Sequence, residues 1–358
     1  MIEYLVVSII CILITLFPKK KESALAYSFV ILTVFFAIRY NFGNDYFAYL
    51  THFDLANQGN LLDALESERF EDGWVVLCRL CKPIGFFGMV IILTVFENFV
   101  LYRMIKKYVP RNWYWLALFC YLFSTSLCLT GLSMMRQYFA MCVCLLAFDM
   151  AVTKRIVLSV LLVLLAGLFH TSAYVCLPVC FIGLLKNVRV SKSFSIVLIA
   201  FIIVLSLASV SLFSDYLADF IRKSVFEIYE GRLEQNNERI IGLSTFFNYY
   251  LLMVILLLQG KLNNVNRYFV IIFILYYIID VFKPIAPLIN RVGLYFFILY
   301  PVCMPNTINK LSDKTIRQVT VLLLLLFGVY GYFSFILSPG WGNTFLEYNT
   351  IFSVNYWM

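Results

Sequence analysis

The chain has 358 residues, of which 62% are hydrophobic and only 13% charged, with a mean hydropathy of +0.88 and a formal net charge of +8. A soluble chain of this length needs a charged surface of roughly a quarter of its residues. This composition therefore excludes an ordinary soluble enzyme and makes lipid the solvent. The positive charge is not a nucleic-acid signal, because no soluble module with a basic face accompanies it.

The apolar runs are long and continuous rather than short and alternating, which selects spanning helices over a barrel. The first, Leu5 to Phe17, has no basic residue before it and Lys19, Lys20 and Lys21 after it. That order is the reverse of a secretory signal and predicts a first span. Further spans are expected near residues 24–40, 85–104, 113–130, 135–152, 156–169, 172–185, 194–213, 244–260, 268–282, 291–305 and 318–337. The expected fold is a polytopic all-α membrane protein of about twelve transmembrane helices, within a range of roughly 11–14. With no repeat and no Gly/Ser linker, residues 1–358 read as one transmembrane domain.

The short connections on one side carry the basic residues, among them Lys19, Lys20, Lys21, Lys106, Lys107, Arg111, Lys154, Arg155, Lys186, Arg189, Lys192, Lys261, Arg267, Lys310, Lys314 and Arg317. By the positive-inside rule that side is cytoplasmic, and both termini face outward. The other side holds two long polar segments, about 41–72 and 214–243, with most of the acidic residues. Loops of that length usually serve function. Within and beside them, Glu71 to Lys82 reads as an interfacial helix, and residues 214–239 as an amphipathic helix with Tyr216, Phe220 and Phe226 on its apolar side.

No Walker loop, GxGxxG, HExxH or GxSxG is present, so nucleotide-driven transport and dinucleotide chemistry are not expected. Most of the ten cysteines lie in apolar runs and pack as small hydrophobes. Cys78 and Cys81 form a lone CxxC, one ligand pair short of a zinc site. Neither a metal nor a cofactor is expected.

What remains is a set of cations at the outer ends of spans. Arg39 closes the second span, Arg136 opens the fifth in GLSMMRQYFA, and Arg291 opens the eleventh in LINRVGLYF. His170 sits in the turn FHTSAY. A lone span-end arginine is commonly a snorkelling anchor. Arg136 and Arg291 stand out because they lie deep in apolar sequence, where an arginine needs a partner or a watery cavity. Guanidinium forks bind phosphate oxygens in pairs, so three arginines on one face point to a pyrophosphate. His170 gains weight as one of only two histidines and by lying on the same face as the arginines. Glu97 and Asp149 read as packing or topology residues, and Asp280 as a partner of Lys283.

Several motifs together resemble the EpsG-like Wzy polymerases of bacterial surface polysaccharides. In RYNFGNDYFAYLTHF the matching positions are Arg39, Gly43, Asp45, Tyr46, Tyr49 and Phe53. FEDGW is similar to the family's Glu-x-Gly-aromatic segment, through Glu71, Gly73 and Trp74. Arg136, Gln137 and Ala140 resemble its Arg-Gln-x-x-Ala element. His170, Ser172 and Pro178 resemble its His-x-Ser turn, and Arg291, Tyr295 and Phe296 its late Arg-x-x-x-Tyr-Phe element. The elements occur in order over about residues 39–300.

The resemblance implies a multi-pass protein of the bacterial inner membrane with a GT-C-like architecture and external amphipathic loop helices. It implies a metal-independent glycosyltransferase that joins undecaprenyl-pyrophosphate-linked repeat units on the outer leaflet and releases undecaprenyl pyrophosphate. Arg136, Arg291 and Arg39 would bind pyrophosphate, and a groove between spans would take the polyprenyl tails. For that reaction His170 has a suitable unperturbed pKa for the base that takes the acceptor proton, Asp45 could serve instead or orient the acceptor, and Tyr46, Tyr49 and Trp74 could stack on sugar rings. Implied partners are the lipid-linked oligosaccharides, the bilayer, and chain-length regulator and flippase proteins. Other readings are a flippase or transporter of lipid-linked sugars, an outer-leaflet glycan ligase, or an acyltransferase using His170. A flippase calls for charges along an inner path, whereas the cations here cluster at one face.

Overall fold

The computed structural model describes residues 1–17, 20–67, 70–185, 188–211, 243–282, 289–338 and 344–353. The amphipathic helix expected at 214–239, nearly all of the 214–243 segment, and Lys19, Lys186 and Lys283 lie outside those residues. The described chain is nearly all helix. Its only sheet pairs Arg39–Tyr40 antiparallel with Asn349–Thr350.

Each expected apolar run is helical, wholly or in part. The fifth run is one helix, Met135–Val152, and the third extends to Gly85–Tyr108. Two runs break. The 113–130 run stops as the helix Tyr114–Leu122 and resumes as the short helix Leu129–Ser133, with Ser124, Thr125 and Ser126 in the turn between. The 291–305 run divides into Ile289–Phe297 and Tyr300–Ile308, with Pro301 in the first turn of the second piece. Proline has no N–H to continue the earlier helix and is pre-set for a helix start.

Among the described residues, three helices are long and apolar enough to cross a membrane: Lys82–Tyr108, Met135–Val152 and Lys314–Ile336. Shorter apolar helices include Ile2–Leu16 and Ile156–Gly167. Thr171–Leu184 is a 3-10 helix of 14 residues with Pro178 inside it. At ~2.0 Å per residue it reaches about 28 Å, where an α-helix of that length would reach only about 21 Å. The tighter winding thus lets a short apolar run approach the roughly 30 Å thickness of a hydrocarbon core.

Hydrogen bonds sort the bundle into two ends. At one, the Met1 ammonium donates to the Leu346 carbonyl, Tyr4 to Leu122 and Tyr332 to Met1. At the other, Lys21 donates to Thr15 and Leu16, Trp113 to Asn309 at 2.9 Å, and Asn306 to the Tyr108 carbonyl. Lys21, Lys107 and Arg111 gather at this second end, together with Asp149, which is 0% exposed.

The 41–72 segment is not an open loop. Helices Tyr46–Ala56 and Leu61–Ser67, together with Asp72–Leu80, enclose a satellite core around Trp74. Asp72–Leu80 is the helix expected at Glu71 to Lys82: it buries Trp74, Val75 and Cys78 and leaves Leu80 exposed. Two glycines seat this cap on the bundle. A Cβ on Gly43, which has φ +81°, would fall 2.2 Å from Ser133 Oγ. One on Gly73 would fall 2.6 Å from the Leu168 carbonyl oxygen, to which Gly73 N–H donates at 2.9 Å. Only glycine allows both approaches.

Candidate functional site

Arg136 lies in the first turn of Met135–Val152. A cation there opposes the helix dipole and needs an anion close by. Glu71 supplies it. This residue is the N-cap of Asp72–Leu80, with an extended backbone that turns its carboxylate away from its own helix. Glu71 Oε2 forms an ion pair with Arg136 Nη1. The guanidinium also lies over the Phe70 ring, 3.7 Å from its centroid, and acts electrostatically on the Tyr49 hydroxyl. The pair is partly open to solvent, at 17% and 18% exposure, and Arg136 Nε is buried without a partner.

The second carboxylate oxygen carries the contact onward. Glu71 Oε1 accepts the Thr171 N–H at 3.0 Å, at the start of the 3-10 helix whose N-cap is His170. His170 Nδ1 is 2.6 Å from Ser172 Oγ and 3.2 Å from the Tyr295 hydroxyl. These two hydroxyls are 3.2 Å apart. The tautomer that donates Nδ1–H to Ser172 leaves Nε2 as a lone-pair acceptor. Burial pushes the imidazole pKa below its ordinary value, and Arg136 and Arg291 push the same way, against the pull of Glu71. His170 is thereby held neutral, the form a base requires.

Arg291 stands in the first turn of Ile289–Phe297, with an exposed side chain. Among the described residues it makes no ion pair. Gln137, next to Arg136, donates to the Arg291 carbonyl at 2.6 Å and so fixes one arginine-bearing helix against the other. Asp45 precedes the Tyr46–Ala56 helix without a side-chain cap bond and acts electrostatically on Tyr49, whose hydroxyl pKa is raised mainly by burial.

The structure thus brings Arg136, Arg291, His170, Tyr49 and Asp45 to one end of the bundle. The other expected site residues are committed to buried packing instead. Arg39 is 1% exposed, and its Nη1 donates to the Phe36 carbonyl and Thr94 Oγ1, both at 2.7 Å, with Glu97 nearby. Tyr46 and Trp74 are 2% and 1% exposed and their rings pack in the satellite core, Trp74 against Tyr49 and Tyr46 against Phe86. Tyr49 is 6% exposed and points its hydroxyl at Arg136. As packed, these rings present no open face to a sugar.

Sequence reasoning assigned no role to Glu71, Gln137 or Phe70. Glu71 stood within a quoted motif, but its partner is 65 residues away. All ten cysteines are free and buried. Among the described residues, no group of three or more His, Cys, Asp or Glu side chains is arranged to hold a metal ion.

The sequence model of the EpsG family matches residues 23–350. Neither a curated protein nor a solved structure matches the chain.

Proposed function

The chain belongs to the EpsG family, and from that premise we propose that it is a polysaccharide polymerase joining undecaprenyl-pyrophosphate-linked oligosaccharide units at the outer leaflet of the bacterial inner membrane. Family membership and the apolar helices carry the coarser part: a membrane protein with a glycosyltransferase-like, polymerase-type function. The finer part is our reading. The twelve apolar segments are the spans of a GT-C-like fold, the basic Asp149 end is cytoplasmic and the Arg136 end faces out.

The observation that carries the reading is the Arg136–Glu71 pair beside His170 and Arg291. In the reaction, an acceptor sugar hydroxyl attacks the anomeric carbon of the donor glycan. The bond from that carbon to the pyrophosphate oxygen breaks, and undecaprenyl pyrophosphate departs with the bonding electrons. Charge grows on the departing oxygens, where Arg291 and Arg136 stabilise it. Pyrophosphate displaces Glu71 from Arg136 on binding. The carboxylate, still held by the Thr171 N–H, then stabilises the imidazolium formed when His170 takes the hydroxyl proton. Asp45 orients the acceptor from the side of Tyr49. Arg39, committed to Phe36 and Thr94, acts through the frame, and Tyr46 and Trp74 form the floor beneath Tyr49.

Chain extension in cells tests this reading. Arg136→Ala and Arg291→Ala, extracted at wild-type level and monodisperse, are expected to accumulate single lipid-linked units. Normal long-chain polymer from both variants would overturn it.

A further inference from the structure

Away from the arginines, at the same end of the bundle, lies a cavity of about 430 Å³. Its walls come from Tyr114–Leu122 and the turn after it, Leu243–Leu258, Asn264–Asp280, Ile289–Phe297 with Tyr300, and the last helix, Lys314–Ile336 with Ser338. Its lining chemistry is unusual for this chain. Among the described residues that line it, ten are aromatic, four of them tyrosines; six more carry an aliphatic hydroxyl or an amide; none is charged, and none is Leu, Ile, Val or Met. The rings are fixed by one another: Phe247 stacks on Phe327 at 4.2 Å, and Phe297 lies between Tyr276 at 4.4 Å and Tyr300 at 5.1 Å. Ser124, Thr125, Ser126, Asn248, Ser334 and Ser338 supply the donors and acceptors.

A branched polyprenyl tail needs dispersion contacts alone and gains nothing from six polar side chains, each of which loses water when a hydrocarbon covers it. A sugar ring uses both kinds of wall. Its polarised C–H groups settle on the negative faces of aromatic rings, and its hydroxyls bond to serine, threonine and asparagine. With no charged side chain among the described lining residues, a phosphate or a uronate is disfavoured as the occupant. The volume falls within the range of ordinary small-molecule pockets. The cavity also adjoins the pyrophosphate-facing helix: Phe297 in its wall and Arg291 lie about 9 Å apart along one helix.

We propose that this cavity is a glycan-binding site that holds uncharged sugar rings of a lipid-linked unit while Arg136 and Arg291 hold pyrophosphate. The proposal rests on the polymerase reading for the identity of the ligand, and on the cavity alone for its chemistry. The site depends on small residues of the last helix. Gly328 packs against Phe119, where a Cβ would fall 2.7 Å from the ring, whereas a Cβ on Gly331 meets nothing within 4 Å. Gly331 lines the cavity and its Cβ position is open, so a larger side chain there starts from free space, and glycine's low helix propensity makes its replacement locally favourable.

The test uses the full-length protein in lipid nanodiscs with radiolabelled lipid-linked repeat units, prepared with full-length and with shortened polyprenyl tails. Binding and product ladders are both read. For Gly331→Phe we expect at least tenfold weaker binding with both tail lengths, and a matching rise in acceptor KM. Gly260→Phe, equally open but at the opposite end, is the control and is expected to bind as wild type does. Unchanged binding by Gly331→Phe would overturn the proposal. So would a loss confined to the long-tailed substrate, which would make the cavity a tail groove. A wild-type protein that binds the units in a Gly331→Phe-sensitive way but forms no ladder would sustain the glycan site and remove the polymerase reading.

Discussion

Each end of the bundle holds a carboxylate against arginine or lysine, and the two pairs are built differently. Asp149 is fully buried and receives Lys107 at 2.6 Å, Arg103 at 3.4 Å and the Tyr108 hydroxyl. Its oxygens are satisfied, and its cations reach outward at 41% and 45% exposure. Glu71 has one cation and one backbone N–H, and both partners of its ion pair remain partly open. Arg136 Nε lacks a partner, and Arg291 beside it stands exposed without one among the described residues. The saturated cluster pins helices together. The unsaturated one keeps cationic capacity in reserve, as a site for an anion must.

Breaking each cluster is expected to separate activity from stability. The largest effect is on the open side: Arg136→Ala should lower chain extension by about 10²–10³-fold, the range for removing one donor to developing charge, with thermal stability near wild type. Next comes Asp149→Ala, which should cost about 1–2 kcal/mol in a thermal or denaturant unfolding assay. The cost stays modest because Lys107 and Arg103 can turn to water. Turnover per folded molecule should be unchanged, and a loss of turnover comparable to that of Arg136→Ala would abolish the contrast between the ends.

Gly73→Ala should fall between the two classes. Its methyl meets the Leu168 carbonyl, so the cap must shift against His170; we expect about 1–3 kcal/mol of destabilisation together with reduced turnover, read by unfolding and by ladder formation. Full activity at wild-type stability would show that the Gly73 approach does not hold the site. The smallest effect is on pH. Because His170's pKa is depressed, it stays neutral as pH falls through 6.5, the ordinary value for histidine. Activity should persist below that pH and fail only near the depressed pKa, whereas folding stability should already decline below 6.5 as the unfolded chain gains the proton. Glu71→Gln removes the group that raises the pKa, so its residual activity should lose its acid limb at still lower pH. A wild-type acid limb at or above 6.5 would exclude His170 as the base.

The contrast between the ends also marks what could be read from the residues alone. Met135–Val152 and the basic connections were legible because apolar run length and Lys/Arg clustering are local signals. The break at Pro301 was legible in principle, since a proline cannot accept a continuing helix. The burial of Tyr46 and Trp74 was not. Tyr46 lies in a polar segment that reads as a loop and Trp74 in a helix that reads as interfacial, and only the packing of three short helices around Trp74 removes their faces from solvent. Arg39 misleads in the same way: it stands just past a helix end, yet its bonds run inward to Phe36 and Thr94. Glu71 shows the limit most clearly. Its motif was visible, but its contacts are with Arg136 and Thr171, which tertiary folding alone brings to it.

The central claim is that the Arg136 end transfers glycan between lipid-pyrophosphate units. The most direct measurement incubates purified protein with lipid-linked repeat units alone, without nucleotide sugar or ATP. The account predicts a ladder of extended products from the wild type and none from Arg136→Ala. No ladder from folded, substrate-binding wild type, or an undiminished ladder from the variant, would contradict it.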